Sequence, residues 1–467
     1  MKKIKKKINS LKDIKAKYIL IILFILFYLI FIEKVNENEK NINPKKLDPF
    51  YAFSRRLNSS PIILCKSEDS EHICYKNDLS YFFEKDGIIC KMKNFIINPL
   101  FWKQDGYIYK GPVNLKTRGC PLISKGFLNM KCNIKNKIQH YNSIYFSYLD
   151  SWNYNLDNNI IIKEELFPGK TLFLISRNQD SPNLFHGGCE FINAYSLMNL
   201  LGLKPQNIQI LFLESMKFNN DPYYDLYKYV ISGGNEPIHI SQLKKTYFVS
   251  NAIHLPINWD SPCFTKCEIP KFNNGTLTYS KLYEDVLKYM KIPNFIDSFN
   301  YNKEIFYYSN LYLNSSKSNY KKFLTIQWRK IWPKGRIGQF RILGNGPEIV
   351  DILVKILPKN ILIRLVDTAS LPIIKQISIM QKTDYFLGIH GAGLILSIFL
   401  PPHSIVHEIK NKDEMNNLQI LSILSGHRCY SDIIETNIKN INNSEYLFFN
   451  PYDIAKKVLK HMKQNKF

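Results

Sequence analysis

The stretch Asp384-Tyr-Phe-Leu-Gly-Ile-His390-Gly-Ala-Gly393-Leu decides how this chain is read. Its apolar first half reads as a buried strand that ends at His390, and two glycines follow where a helix begins. Glycine lacks a Cβ, so backbone can approach a ligand closely there. Free amide groups and the helix dipole both favour an anion such as a diphosphate, and the His side chain can donate a hydrogen bond to a phosphate oxygen. A glycine-rich tight turn with a satisfied His has the same local sequence, so the surroundings must decide between the two.

Working outward, strands and helices alternate on both sides of this turn. Residues 323–328 and 361–366 read as strands with a helix over 348–357 between them, and 373–381 reads as a helix leading into the strand 384–389. A short helix over 393–399, a strand over 404–409, a helix over 417–424 and a closing amphipathic helix over 453–462 complete the series. An earlier alternating region gives strands over 170–176 and 207–213 with helices over 191–201 and 223–230. This is the cadence of parallel sheets with crossover helices. Two such units predict an α/β chain with two Rossmann-like domains facing a cleft, where ligands sit beyond the carboxyl ends of the strands.

The chain has 467 residues and a formal charge of +24. That length exceeds what one growing core accommodates, so two packed units are expected. Nearly all of the positive excess is Lys in an Asn- and Ile-rich background, while only nine Arg occur. Residues 18–32 form an unbroken apolar run preceded by eight lysines. Fifteen helical residues span roughly 22 Å, short of the roughly 30 Å hydrocarbon core, and flanking lysines can snorkel across the deficit. The positive-inside rule leaves the N-terminus cytosolic and the rest lumenal. A cleaved signal peptide is the rival reading, but no small-residue cleavage pattern follows Ile32. The expected organisation is a cytosolic tail 1–17, a transmembrane signal anchor 18–32, a polar stem 33–60, a Cys-rich region with the first Rossmann-like domain over 61–318, and a second over 319–467. Nine cysteines, five of them between residues 65 and 132, fit disulfides in an oxidising lumen, as do the sequons at Asn58, Asn274, Asn314 and Asn442. With this topology the charge gives no nucleic-acid partner.

Taken together, Gln376 with Ile379-Met380, the run Gly388-Ile-His390-Gly-Ala-Gly393-Leu, Phe399-Leu-Pro-Pro and Glu408-Ile resemble glycosyltransferase family 61. Its members include N-glycan core xylosyltransferases and lumenal O-GlcNAc transferases. Upstream, Trp328-Arg329 and Arg341-Ile-Leu-Gly-Asn345 are similar to the family's Arg elements. In the first half, Ser176-Arg177, Asn183-Leu-Phe-His186 and Phe191-Xaa-Asn-Ala-Tyr195 look like its acceptor-side motif, most like the xylosyltransferase branch. Glu190 stands where that branch usually has Asp, and Gly187-Gly188-Cys189 replace bulkier residues.

The resemblance implies an inverting transferase of the two-domain GT-B type that moves xylose or N-acetylglucosamine from a UDP-sugar to a glycan or glycoprotein acceptor. Donor binding falls to Arg329, Arg341, Asn345, His390, Gly391, Ala392, Gly393 and Glu408. Glu408 is a candidate for the ribose hydroxyls, with a capping or loop role equally open. His186 and Glu190 are the candidates for the base that takes the acceptor proton. The sequence contains no Asp-Xaa-Asp triplet, so no metal or other cofactor is expected, and the arginines, His390 and helix N-termini supply the positive charge instead. A Golgi membrane, or the ER, is the expected location, the Golgi being favoured because the chain ends Lys-Gln-Asn-Lys-Phe rather than in a retention tetrapeptide. The alternative is a catalytically silent lumenal protein that binds glycans or a partner on the same fold.

Overall fold

Runs of four to six apolar residues become central strands because each face of a covered sheet must be apolar. In the computed structural model, placement is described for residues 61–75, 89–103, 122–123, 125–132, 134–135, 152–153, 162, 164–175, 184–213, 222–255, 277–290, 306–308, 322–328, 330, 341–410, 421–422, 425–441 and 444–467. The apolar run 18–32, the stem and all four sequons lie outside them. Among the described residues no helix is long and apolar enough to cross a membrane.

The first sheet contains β1 (Ile62–Lys66), β2 (Glu71–Tyr75), β3 (Ile89–Ile97), β4 (Thr171–Ile175), β5 (Ile208–Phe212), β6 (Ile238–His239) and β7 (Tyr247–His254). Their order is β6-β5-β4-β7-β3-β2-β1, and short strands at Leu128–Asn129, Ile134–Lys135 and Trp152–Asn153 extend it. From β6 to β7 neighbours are parallel, as the alternating pattern predicts; β7, β3, β2 and β1 then run antiparallel to one another. The expectation of a parallel sheet therefore needs correcting for this half, which is mixed. Cys74 and Cys90 face each other across β2 and β3 and are bonded, and Cys65 is bonded to Cys132. The disulfide-stapled region read from the cysteine spacing is thus present. Closing chain segments of 16 and 67 residues, such links restrict the unfolded chain by about 3 to 4.5 kcal/mol each in the chain-entropy picture.

Helix α1 (Leu184–Leu200) crosses from β4 to β5, and α2 (Leu277–Met290) follows β7. α1 begins seven residues before the start predicted at 191, so Gly187 and Gly188 lie inside it. A mid-helix glycine costs about 1 kcal/mol against Ala. Gly188 is retained for space: a Cβ there would stand 2.7 Å from the Tyr223 hydroxyl and 2.8 Å from Ile395 Cγ1.

The second sheet contains β8 (Phe306–Tyr307), β9 (Lys322–Gln327), β10 (Ile361–Val366), β11 (Tyr385–Ile389), β12 (Ile405–Ile409) and β13 (Arg428–Asp432), in the order β8-β10-β9-β11-β12-β13. All pairings are parallel except that of β8. Helices α3 (Gly346–Ile356), α4 (Ile373–Met380) and α5 (Pro451–Gln464) cover it. Alternation splits the strands between two cores. Phe386 and Val406 face a core shared with α1, α2 and α4, while Tyr385, Leu387, Ile405 and Ile409 face α3 and α5. The first core also holds Phe173, Ile210 and Ile253 of the first sheet, so the two halves share apolar packing within the compact unit Leu47–Phe467.

Candidate active site

β11 ends at Ile389, and the His390 amide still donates to Ile409 O at 2.7 Å, which fixes the chain where it leaves the sheet. After Gly391 the backbone turns into the 3₁₀ helix Ala392–Phe399. The short helix expected after the glycine turn is present and is wound as a 3₁₀ helix. At the carboxyl edge of the sheet, the His390 ring lies over β12. Its Nδ1 is 2.5 Å from Glu408 Oε1, and Ser431 Oγ donates to Glu408 Oε2 at 3.2 Å. Both carboxylate oxygens of this buried Glu thus engage protein groups. A carboxylate on Nδ1 holds the imidazole in one orientation and assigns the Nδ1 proton to that contact.

Gln327, at the carboxyl end of β9, completes the floor of this site. Its Nε2 donates to Thr368 Oγ1 at 3.2 Å. A Cβ on Gly393 would lie 1.6 Å from Gln327 Nε2, and one on Gly388 would lie 2.7 Å from Leu394 Cδ2. Neither glycine can take a Cβ unless a neighbour moves: the Gln327 amide at Gly393, and the tip of the Leu394 side chain at Gly388. Sequence reading passed over Gln327, because a single Gln at a strand end carries no signal until the glycines are seen against it.

The other predicted donor residues are placed less uniformly. Arg341 is half-buried at the entrance to the short strand Ile342–Leu343 and has φ +65°, a backbone conformation few side chains adopt. Asn345 precedes α3, where its Nδ2 donates to Phe449 O at 2.7 Å and its Oδ1 accepts from Phe449 N at 3.2 Å. That amide ties α3 to the strand Ser444–Phe449. Arg329 lies outside the described residues. The candidate bases occupy consecutive turns of α1: His186 is half-buried near its first turn, edge-on to Phe185, and Glu190 is buried one turn further in. α1 packs against the 3₁₀ helix Ala392–Phe399 through Gly188 and Ile395, so the acceptor-side and donor-side motifs lie on touching elements.

A parallel sheet whose strand ends in His, glycine turn and short helix, with a carboxylate against the His, is an α/β arrangement whose strand ends can receive an anion. Residues 289–407 match the model of the family described as glycosyltransferase 61, which bears out the resemblance read from the motifs. Over 100 residues the chain is 31% identical to the EGF domain-specific O-linked N-acetylglucosamine transferase of Xenopus laevis and to the protein of that name from Mus musculus. Each alignment spans 21% of this chain and only 16% of the relative.

Proposed function

We propose that this chain is an inverting glycosyltransferase that moves xylose or N-acetylglucosamine from a UDP-sugar to a glycan or glycoprotein acceptor. One observation carries the reading: His390, clamped by Glu408, stands at the head of the glycine turn inside the segment that matches the family. The backbone amides after Gly391, with Arg341 and Arg329, receive the diphosphate and stabilise the charge that develops as it leaves. The sequence has no Asp-Xaa-Asp triplet, which supports donor binding without a divalent ion. Glu408 acts through His390 in this account, because both of its oxygens already face His390 and Ser431.

In the transfer step an acceptor hydroxyl oxygen attacks the anomeric carbon as the bond to the diphosphate breaks, inverting that centre. The hydroxyl proton passes to a base on the first-sheet side. His186 suits that role better than Glu190, being less buried and nearer the start of α1. The two α/β halves then act as donor and acceptor lobes of a GT-B arrangement, and the run 18–32 anchors them as a type II protein in the Golgi or ER membrane.

The test is transfer and hydrolysis by the purified chain against a panel of UDP-sugars. Turnover of UDP-xylose or UDP-N-acetylglucosamine is the expected result. Tight UDP binding without turnover of any sugar would instead favour a silent binding protein, and neither binding nor turnover would end the reading.

A further inference from the structure

Glu408 points toward His390, and its neighbour His407 points to the opposite face of β12, beneath α5. There, away from the donor candidates, three side chains converge from β12, β13 and α5. His407 Nε2 lies 3.0 Å and His461 Nε2 3.2 Å from the same atom, Asp432 Oδ2, and all three fall within 4.8 Å of one another. Both imidazoles are buried. His407 Nε2 and Asp432 Oδ2, though close and enclosed, complete no aligned hydrogen bond. The three ligating atoms are close enough together to share one cation.

The surrounding groups fit the same account. Nδ1 of His407 and Nδ1 of His461 stand 3.0 and 3.3 Å from the Tyr385 hydroxyl oxygen. Lys457 Nζ takes the other carboxylate oxygen, Asp432 Oδ1, at 2.9 Å, leaving Oδ2 to act alone. Ligands about 2.0 to 2.2 Å from a tetrahedral zinc ion lie about 3.3 Å apart, close to the two separations from Asp432 Oδ2. A ring that ligates through Nε2 keeps its proton on Nδ1, so both rings can donate to the Tyr385 oxygen, a polar support of the kind metal-bound His requires. The other three-residue grouping of this kind among the described residues, His72 with Cys74 and Cys90, is unsuitable because those sulfurs form a disulfide.

We propose that His407, His461 and Asp432 bind one Zn²⁺ ion, completed by water, that clasps α5 to the β12–β13 edge of the second sheet. The ion lies across the sheet from His390 and takes no part in sugar transfer. It joins residues far apart in sequence, so its contribution is to hold the last helix in place.

The experiment uses the full, untagged chain, purified in detergent, stripped with EDTA and titrated with zinc chloride against a chromophoric chelator. Metal is counted by mass spectrometry and melting followed by circular dichroism. The parent should take up one zinc per chain with micromolar or tighter affinity and melt at a higher temperature when loaded. Asp432→Asn and His461→Gln should each weaken uptake at least 100-fold and remove the zinc-dependent rise in melting temperature. Tyr385→Phe should weaken uptake about 10- to 100-fold. No zinc bound by the folded parent, a melting temperature indifferent to zinc, or uptake unchanged in the folded Asp432→Asn and His461→Gln chains would each overturn the proposal.

Discussion

Nδ1 of His390 lies 2.5 Å from Oε1 of Glu408, so the last residue before the glycine turn is tied to the neighbouring strand by its side chain as well as by its amide. Glu408→Gln keeps the shape but replaces the carboxylate with a neutral amide, and the imidazole loses its fixed tautomer. Donor turnover should fall about 10- to 100-fold, the worth of a charge-assisted hydrogen bond of about 1.5 to 3 kcal/mol. Circular dichroism should show the fold retained. Unchanged turnover would mean that the orientation of His390 does not matter to the reaction.

Gly393 and Gln327 should behave as a coupled pair. In Gly393→Ala the new methyl occupies the place of the Gln327 amide, which must move and release Thr368. UDP binding should weaken, and Gln327→Ala should recover part of that loss in the double variant by opening the space. Neighbours of this kind typically couple by about 0.5 to 3 kcal/mol in a double-mutant cycle. Strict additivity by calorimetric titration would remove Gln327 from the floor of the site.

Stability should fall on acidification, for a reason that can be assigned. Burial pushes the imidazoles of His72 and His254 down to about 3 and that of His427 to about 4. In the unfolded chain they titrate near about 6.5, so from there down to about pH 4 the unfolded state binds more protons and folding weakens as pH drops. Each contributes at most about 1.4 kcal/mol per pH unit. Urea midpoints should be level above pH 7 and decline steadily from pH 6 to pH 4, less steeply in His254→Gln. A midpoint constant over that window would contradict the buried neutral state.

The membrane assignment is tested separately on intact microsomes. With residues 18–32 as an anchor, protease should leave everything beyond residue 40 intact until detergent is added. Digestion of the C-terminus in sealed vesicles would place these domains in the cytosol.

The second sheet was largely legible in the sequence because its central strands are buried on both faces. Tyr385–Ile389 therefore reads as a continuous apolar run and Ile361–Val366 as one interrupted only by the buried Arg364, and the observed ends fall within a residue of those predicted. Edge strand Arg428–Asp432 is not legible, because Cys429 and Tyr430 stand between polar Arg428, Ser431 and Asp432 with no alternation, yet it supplies Ser431 to Glu408 and Asp432 to His407. β7 was missed for another reason: it pairs parallel with β4 on one side and antiparallel with β3 on the other, and its burial follows no simple alternation. α1 was read short because Gly187 and Gly188 look like a break until the Tyr223 and Ile395 side chains are seen packed over Gly188. The glycine turn itself was legible; the Gln327 floor, which depends on β9 lying beside β11, was not.

Calorimetric titration with UDP in excess EDTA tests directly whether the diphosphate lies at the His390 turn. The parent should bind under these conditions. Gly391→Val should remain folded and lose most affinity, because its side chain blocks approach to the amides. Arg341→Ala should lose one to two decades, the worth of a charge-assisted contact of about 1.5 to 3 kcal/mol. Its backbone, already at φ +65°, gains no new strain from Ala. His186→Ala should leave UDP affinity unchanged and lower transfer alone. Folded Gly391→Val and Arg341→Ala chains that both bind UDP as the parent does would contradict the account and put the diphosphate elsewhere.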